Sequence, residues 1–317
     1  MVRRMSTTQF LIRPATVDDA PAISAVHCTN VTGWRMWDVN NDDVRPARYT
    51  DLTPYQRWLN GGPWMDAAAC THHITRLLDS GSIAIVAELN GRVLAEAELH
   101  IADEPPPYGR NMNLAVIYVH RNHQGQGIGS ALMRHALALA ESEGCDTFTV
   151  AHAEAPSFYT RYGLRKESTW IRFRLPIGRC KIKYSAEPLP DGSYDIVRGW
   201  AMPIGRYQNA HHDWERTRPG AVPDLDEWRG LRLERHWITV GRHRAALILE
   251  ESPSAPGVAD TFVFTPTGFA ADILPVIRDF ASLFGFTGLR CFARSDSRLP
   301  DAVAADYTHK LFLKRLR

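Results

Sequence analysis

Alternation of apolar and polar positions in the stretch Val93 to Ile101, a preceding strand-like run from Ser82 to Leu89 and an Asn90-Gly91 pair between them predict a β-hairpin closed by a type I′ turn. A loop from Asp103 to Arg110, with prolines at 105 to 107, leads to a third strand over Leu114 to Val119, rich in β-branched residues. Ser130 to Glu143 carries Leu132, Ala136 and Leu139 on one helical face, and Gly144 is placed to end that helix. A strand over Thr147 to Ala151, a short helix over Ser157 to Tyr162 and a strand over Thr169 to Leu175 follow. Upstream, Asp18 to Cys28 predicts a helix capped by Thr16 or Asp18, with Ile23, Val26 and His27 sharing a face. From Asn30 to Asp66 the aromatics Trp34, Trp37, Tyr49, Tyr55, Trp58 and Trp64 are broken by glycines and prolines, which suits short helices and loops. The order of strands and helices makes this half a mixed α/β unit.

The second half repeats that order in weaker form. His236 to Val240, the Gly241-Arg242 turn and Ala245 to Leu249 parallel the first hairpin; Asp260 to Phe264 parallels the third strand. Ala271 to Phe284 is the matching helix, with Leu289 to Ala293 and Tyr307 to Leu313 as closing strands. A boundary near Ile177 to Arg179 gives domains 1–177 and 178–317, in line with a chain of 317 residues that exceeds the usual size of one core.

Hydrophobic residues at 44% and charged residues at 23% describe a globular protein, and no apolar run approaches the roughly 20 residues of a bilayer span. Met1 to Thr8 is followed by no apolar signal region, so a cytoplasmic location is expected, with no membrane partner. The five cysteines are scattered and never spaced C-x-x-C, which argues against disulfides and zinc. With a net charge of +2 and interleaved signs, nucleic acid is a poor partner. The pairs His72-His73 and His211-His212 point to different sides of any element and complete no ligand set; they read as surface histidines, and no metal is expected.

The chemistry concentrates in Val119-His120-Arg121-Asn122-His123-Gln124-Gly125-Gln126-Gly127-Ile128-Gly129-Ser130, which joins a strand to a helix. Glycines there let the backbone adopt positive φ and approach a ligand, and the helix N-terminus favours negative charge, so a pyrophosphate fits. The dinucleotide pattern fails because Ser130 stands where a glycine is needed, and the P-loop fails for want of Gly-Lys-Ser or Gly-Lys-Thr.

Gln124-Gly125-Gln126-Gly127-Ile128-Gly129 resembles the coenzyme signature of the GNAT superfamily of N-acetyltransferases, and Val119 and Ser130-Ala131-Leu132-Met133 match its flanks. The resemblance covers roughly residues 9 to 175. It implies coenzyme A held by the amides of Gln124, Gly125, Gln126, Gly127, Ile128, Gly129 and Ser130, with pantetheine bonded to the backbone at Tyr118 and Val119. Phe158-Tyr159-Thr160-Arg161-Tyr162-Gly163-Leu164 is similar to the second signature, with Leu164 for the usual Phe. By this resemblance Tyr159 protonates the departing thiolate, Tyr162 being the neighbouring alternative; packing of the short helix is the plainer role for both. His152 stands where many members carry an Asn that touches the coenzyme.

Alternation puts Glu96, Glu98 and His100 on one strand face, where a base could deprotonate the amine: Glu98 first, His100 second, although solvated charges on an outward face are the commoner case. The aromatics from Trp34 to Trp64 form either core or the lip of an acceptor pocket.

The fold implied is α/β, a mixed and mostly antiparallel GNAT sheet flanked by helices, duplicated, with a degenerate second copy lacking the glycine turn; Thr265-Pro266-Thr267-Gly268-Phe269 stands in its place. The function implied is direct transfer of an acyl group, acetyl being expected, from acetyl-CoA or another short acyl-CoA to the primary amine of a small molecule. Protein N-acetylation and non-catalytic acyl-CoA sensing are the alternatives, and homodimerisation stays open.

Overall fold

The computed structural model describes residues 10–38, 43–266 and 272–317. They form two compact units, one reaching Leu99 and resuming over Val116–Leu139, the other made of His100–Ala115 and Ala140–Arg317. Met1 to Thr8, the Thr267 to Phe269 part of the stretch standing in for a second glycine turn, and Ala271 at the start of the expected helix lie outside the described residues.

In the first unit, β1 (Leu11–Pro14) and α1 (Ala20–Cys28) precede a small hairpin of β2 (Arg35–Asp38) and β3 (Asp43–Pro46), then α2 (Pro54–Leu59), α3 (Ala67–Asp79), β4 (Ile83–Leu89) and the start of β5 (Arg92–Glu104). Strand β1 lies antiparallel to β4, and β4 to β5. Their turn has positive φ at both Asn90 (52°) and Gly91 (75°), the type I′ geometry expected of Asn-Gly. Helix α3 was not foreseen. Asp66 caps it by accepting from the amides of Ala68 (3.0 Å) and Ala69 (3.2 Å), worth about 1 kcal/mol. Cys70, Ile74 and Leu77 bury one of its faces with Ile23 of α1 and Val86 of β4. This fixes where the opposite side of α3 points.

The unit also holds the end of β6 (Gly109–Val119) and most of α4 (Ile128–Ser142). Ile128, Leu132, Met133 and Ala136 of α4 are buried at the spacing of one helical stripe.

The second unit takes the remaining parts of β5, β6 and α4, followed by β7 (Thr147–Val150), α5 (Pro156–Thr160), β8 (Arg165–Pro176), β9 (Ser185–Pro188), β10 (Ala201–Ile204) and α6 (Ala210–Arg216). The chain closes through β11 (Leu233–Val240), β12 (His243–Ser252), β13 (Ala255–Thr265), α7 (Ile273–Leu283), β14 (Gly288–Arg294) and β15 (Val303–Arg315). Its strand order is β6-β7-β15-β8-β14-β13-β12-β11-β9, with β10 added on β13. The last strand of the chain is thus inserted between β7 and β8, and β8 lies between β15 and β14. Helix α7 packs Val276, Ile277 and Phe280 with Leu247, Val263 and Leu289 in one core; Trp214 of α6 joins Ile248, Phe262 and Phe264 in another.

Among the described residues β6–β7 and β13–β14 pair in parallel, both over short stretches. Strand β6 meets β7 over Asn111–Asn113 and Thr147–Thr149, where Asn111 and Asn113 donate to the hydroxyls of Thr147 (2.9 Å) and Thr149 (3.1 Å); β6 itself runs on to Val119. Strand β13 meets β14 over Val258–Asp260 and Gly288–Arg290. Past this point β10 pairs with β13, and the Gly205 amide donates to the Phe292 carbonyl (2.7 Å), so the gap after the second parallel pair is filled by protein.

Gly205 is required there twice over. Its φ is +92°, and a Cβ would sit 2.6 Å from the Thr261 oxygen and 2.8 Å from Phe262 Cα, both backbone atoms. Gly205→Ala is expected to destabilise the protein by about 1–3 kcal/mol from the backbone conformation alone, with the clash adding to it. Urea unfolding measures this, and a midpoint equal to the parent's would contradict the packing described.

Among the described residues no helix is long and apolar enough to cross a membrane.

Candidate active site

In the first unit, β6 ends at Val119, Arg121–His123 form one tight helical turn, Gln124 is extended, and Gly125 and Gly127 take φ of +74° and +87° before α4 starts at Ile128. The amides of Ile128, Gly129 and Ser130 open the helix and have no carbonyl four residues back to bond. A Cβ built on Gly125 or Gly127 meets nothing within 4 Å. Glycine is therefore needed for conformation and for close approach from outside, not for internal packing, which is the fit a phosphate requires.

The end of α1 holds this turn in place. Thr29 accepts the Arg121 amide (3.0 Å), Asn30 donates to Val119 O (3.2 Å), and the Gln124 side chain donates to Asn30 (2.8 Å) and to Val119 O (3.3 Å). The Gln124 side chain and the Val119 carbonyl thus brace the loop; Asn30 had no sequence signal of its own. Burial, with His123 and Arg92 nearby, lowers the His120 pKa.

Beneath lies a buried group of acids and imidazoles. Glu96 and Glu98 share a face of β5, as alternation requires, but they are buried rather than solvated, at 0% and 1% exposure. Glu98 Oε1 accepts from Trp64 Nε1 (2.8 Å) and from His73 Nε2 (2.9 Å); Glu96 Oε1 makes a short bond with His27 Nε2. The His27 ring is stacked between Trp64 (5.0 Å) and Tyr118 (4.2 Å). Trp64 therefore belongs to the floor of the site, and the side chain of His73, 26% exposed, sits at its edge.

Environment separates the two acid–imidazole pairs. Burial, reinforced by the charge of Glu98, raises the Glu96 carboxyl well above the usual range, and burial lowers His27 to about 3. Both shifts favour a neutral pair, Glu96 protonated and His27 uncharged. For Glu98, burial opposes ionisation, but His73 and the Trp64 bond outweigh it and hold the pKa below the ordinary value. For His73, burial is likewise outweighed by Glu98 and Glu96, and its pKa is raised. An ionised pair with one partly exposed imidazole is thus set beside a neutral pair that is fully enclosed.

The other expected residues belong to the second unit. Tyr159 lies on α5, 8% exposed, with its ring edge against Phe158. His100 is buried against the rings of His211 (5.8 Å) and His212 (4.9 Å). His152, at φ +52°, is bonded to the Tyr307 hydroxyl (3.0 Å) and stacked on His309 and Tyr207, both at 3.9 Å. The surface reading of the paired histidines needs correcting: His211 is 6% exposed and bonded to Ile101 O, His212 is bonded to Asp213, and His73 holds Glu98. Their elements, α3 and α6, were not foreseen, so their burial could not be. Among the described residues no three or more His, Cys, Asp or Glu side chains are grouped to hold a metal.

Residues 45–164 match the profile of the Acetyltransferase (GNAT) family. N-acetyltransferase 8 of Rattus norvegicus is 33% identical over 100 residues, 29% of this chain and 45% of that protein; the chain therefore spans less than half the length of this curated relative. A GCN5-related N-acetyltransferase from Anabaena variabilis superposes with a TM-score of 0.61 at 10% identity, covering 98% of this chain and 73% of that one. One from Kribbella flavida gives 0.55 at 12%, covering 98% and 72%. The fold is the α/β GNAT fold, a mixed sheet flanked by helices, in a chain larger than one such domain and consistent with duplication. The segment that carries the glycine turn and the buried acids is the part similar to GNAT acetyltransferases.

Proposed function

We propose that this protein is an acyl-CoA-dependent N-acyltransferase, with acetyl-CoA as donor and the primary amine of a small molecule as acceptor. The observation that carries the reading is the pair of positive-φ glycines, open to solvent at the start of α4. The amides from Gly125 to Ser130 would hold the diphosphate, and the backbone at Tyr118 and the Val119 amide would meet pantetheine, since the Val119 carbonyl already accepts from two side chains. When bound, the coenzyme supplies a thioester-activated acyl group.

The chain's own part is proton handling. The incoming ammonium must lose a proton, and His73, once deprotonated above its raised pKa, is suited to take it: it reaches the edge of the site, and Glu98 orients it and stabilises the charge it gains. Tyr159 is the proposed donor to the departing thiolate. Tyr159→Phe is expected to lower turnover at least about tenfold with coenzyme affinity nearly unchanged. Release of free thiol, followed against a panel of amines, tests both statements; no turnover with any amine would favour the sensor reading, and an unaltered rate in the variant would remove Tyr159 from its role.

The two-domain reading, 1–177 catalytic and 178–317 degenerate, is supported by the second short parallel pair, whose strands are joined through helix α7, and by the pairing of β10 and Gly205 alongside it.

A further inference from the structure

The second unit contains a cavity of about 450 Å³ on one face of the sheet where β13, β14 and β8 lie side by side. Its floor is made by Asp260 and Phe262 of β13, Arg290 and Phe292 of β14, and Arg172 of β8, which the strand register places opposite Phe292. Tyr207, Tyr307 and Arg216 complete the walls. None of these residues belongs to the glycine turn or to the buried acid pairs.

Three arginines and one aspartate line it. Arg290 makes a two-point bond to Asp260 (2.5 and 2.6 Å), and Arg216 lies 3.5 Å from Glu250. Among the described side chains the Arg172 Nε is buried without an acceptor, and its guanidinium lies 5.2 Å from the centre of the Tyr307 ring. A buried guanidinium N–H without an acceptor at the wall of a cavity favours an anion there, and guanidinium suits a carboxylate or phosphate.

Four aromatic rings, Phe262, Phe292, Tyr207 and Tyr307, share the lining. Phe292 lies 6.0 Å from Tyr207 and 5.6 Å from Tyr307, and buried His309 backs Phe292 at 5.0 Å. Rings already packed lose little entropy when a flat ligand enters. A concave aromatic surface with a few charged and polar groups is the usual make-up of a small-molecule site.

We propose that this cavity binds a small organic anion, a planar ring bearing a carboxylate or phosphate, with Arg172 as its charge partner. Calorimetry on the whole protein with benzoate, phenyl phosphate, inorganic phosphate and benzylamine tests it. Benzoate or phenyl phosphate should bind at least about tenfold more tightly than benzylamine and than phosphate alone, and the better of the two says which anion the site takes. Arg172→Gln should weaken that binding at least about tenfold with unfolding unchanged; Arg172→Lys, which keeps the charge but loses the two-pronged donor, should weaken it too and serves in its place should the first variant fold poorly. Absence of binding by both aromatic anions, equal binding of benzylamine, or indifference to the substitution would each overturn the proposal. CoA binding is read independently, so failure here leaves the acyltransferase reading standing, and the reverse.

Discussion

Gly127→Glu is expected to abolish CoA binding in calorimetry while the protein still folds. The position has φ of +87° and open space where a side chain would go, and it stands immediately before the amides that open α4, so the new carboxylate sits next to where an anion would bind. It adds bulk and a like charge beside a diphosphate, a repulsion of at least about 1 kcal/mol per charge pair at 4 Å even in bulk water. Gly127→Ala separates the causes: it meets no neighbour and carries no charge, and should weaken binding less, through backbone strain of about 1–3 kcal/mol. Undiminished CoA affinity in the glutamate variant would remove the glycine turn from the mechanism, and the acyltransferase proposal with it.

Glu98→Gln is expected to lower kcat/KM by about 10²-fold and to move its pH profile. As a base, His73 must be neutral, and its raised pKa means that activity should climb with pH through an apparent value above the ordinary 6.5. Glutamine keeps an acceptor for Trp64 and His73 but removes the charge that holds the proton on His73, so the rising limb should shift to lower pH. His73→Gln should cost a similar factor, and the double variant little more, because the two act as a unit. The same pair sets a stability term. With its folded pKa raised, His73 contributes fully below about pH 6.5, and that contribution is lost as pH rises through the folded value. A rate profile that does not move in Glu98→Gln would leave the pair a merely structural bond.

The residues that could be read from sequence were those whose signal is local. Asn90-Gly91 needs only its own φ values to make a turn, and Gly144 only its own, +70°, to end α4. The strands and helices that were predicted in the first half, and the hairpin, strand, helix and closing strands after Pro188, appear in the predicted order with ends that differ by a few residues, whereas β1, and the β2–β3 hairpin in a stretch read as short helices and loops, were not foreseen. Helix α3 escaped because its stripe of Cys70, Ile74 and Leu77 is short and follows a proline- and glycine-broken stretch. With it escaped the partner of Glu98, since alternation says that Glu96 and Glu98 share a face but not what covers that face. His27 was placed on the right side of α1 without any sign that an acid waited opposite. Burial of charge depends on elements distant in sequence, and no local pattern reports it.

Strands β8 and β15 are threaded between each other's neighbours: the end of the chain completes the row begun by β7, while β8 meets β14. Scission near Gly178 would consequently not liberate two autonomous proteins. The leading fragment would carry a vacant slot between β7 and β8, and the trailing fragment a bare β14 edge, each a template for adventitious pairing and aggregation. Mixed together, the fragments should reassemble by mutual complementation, which makes co-expression of the halves, rather than truncation, the practical route to dissecting this enzyme-like scaffold.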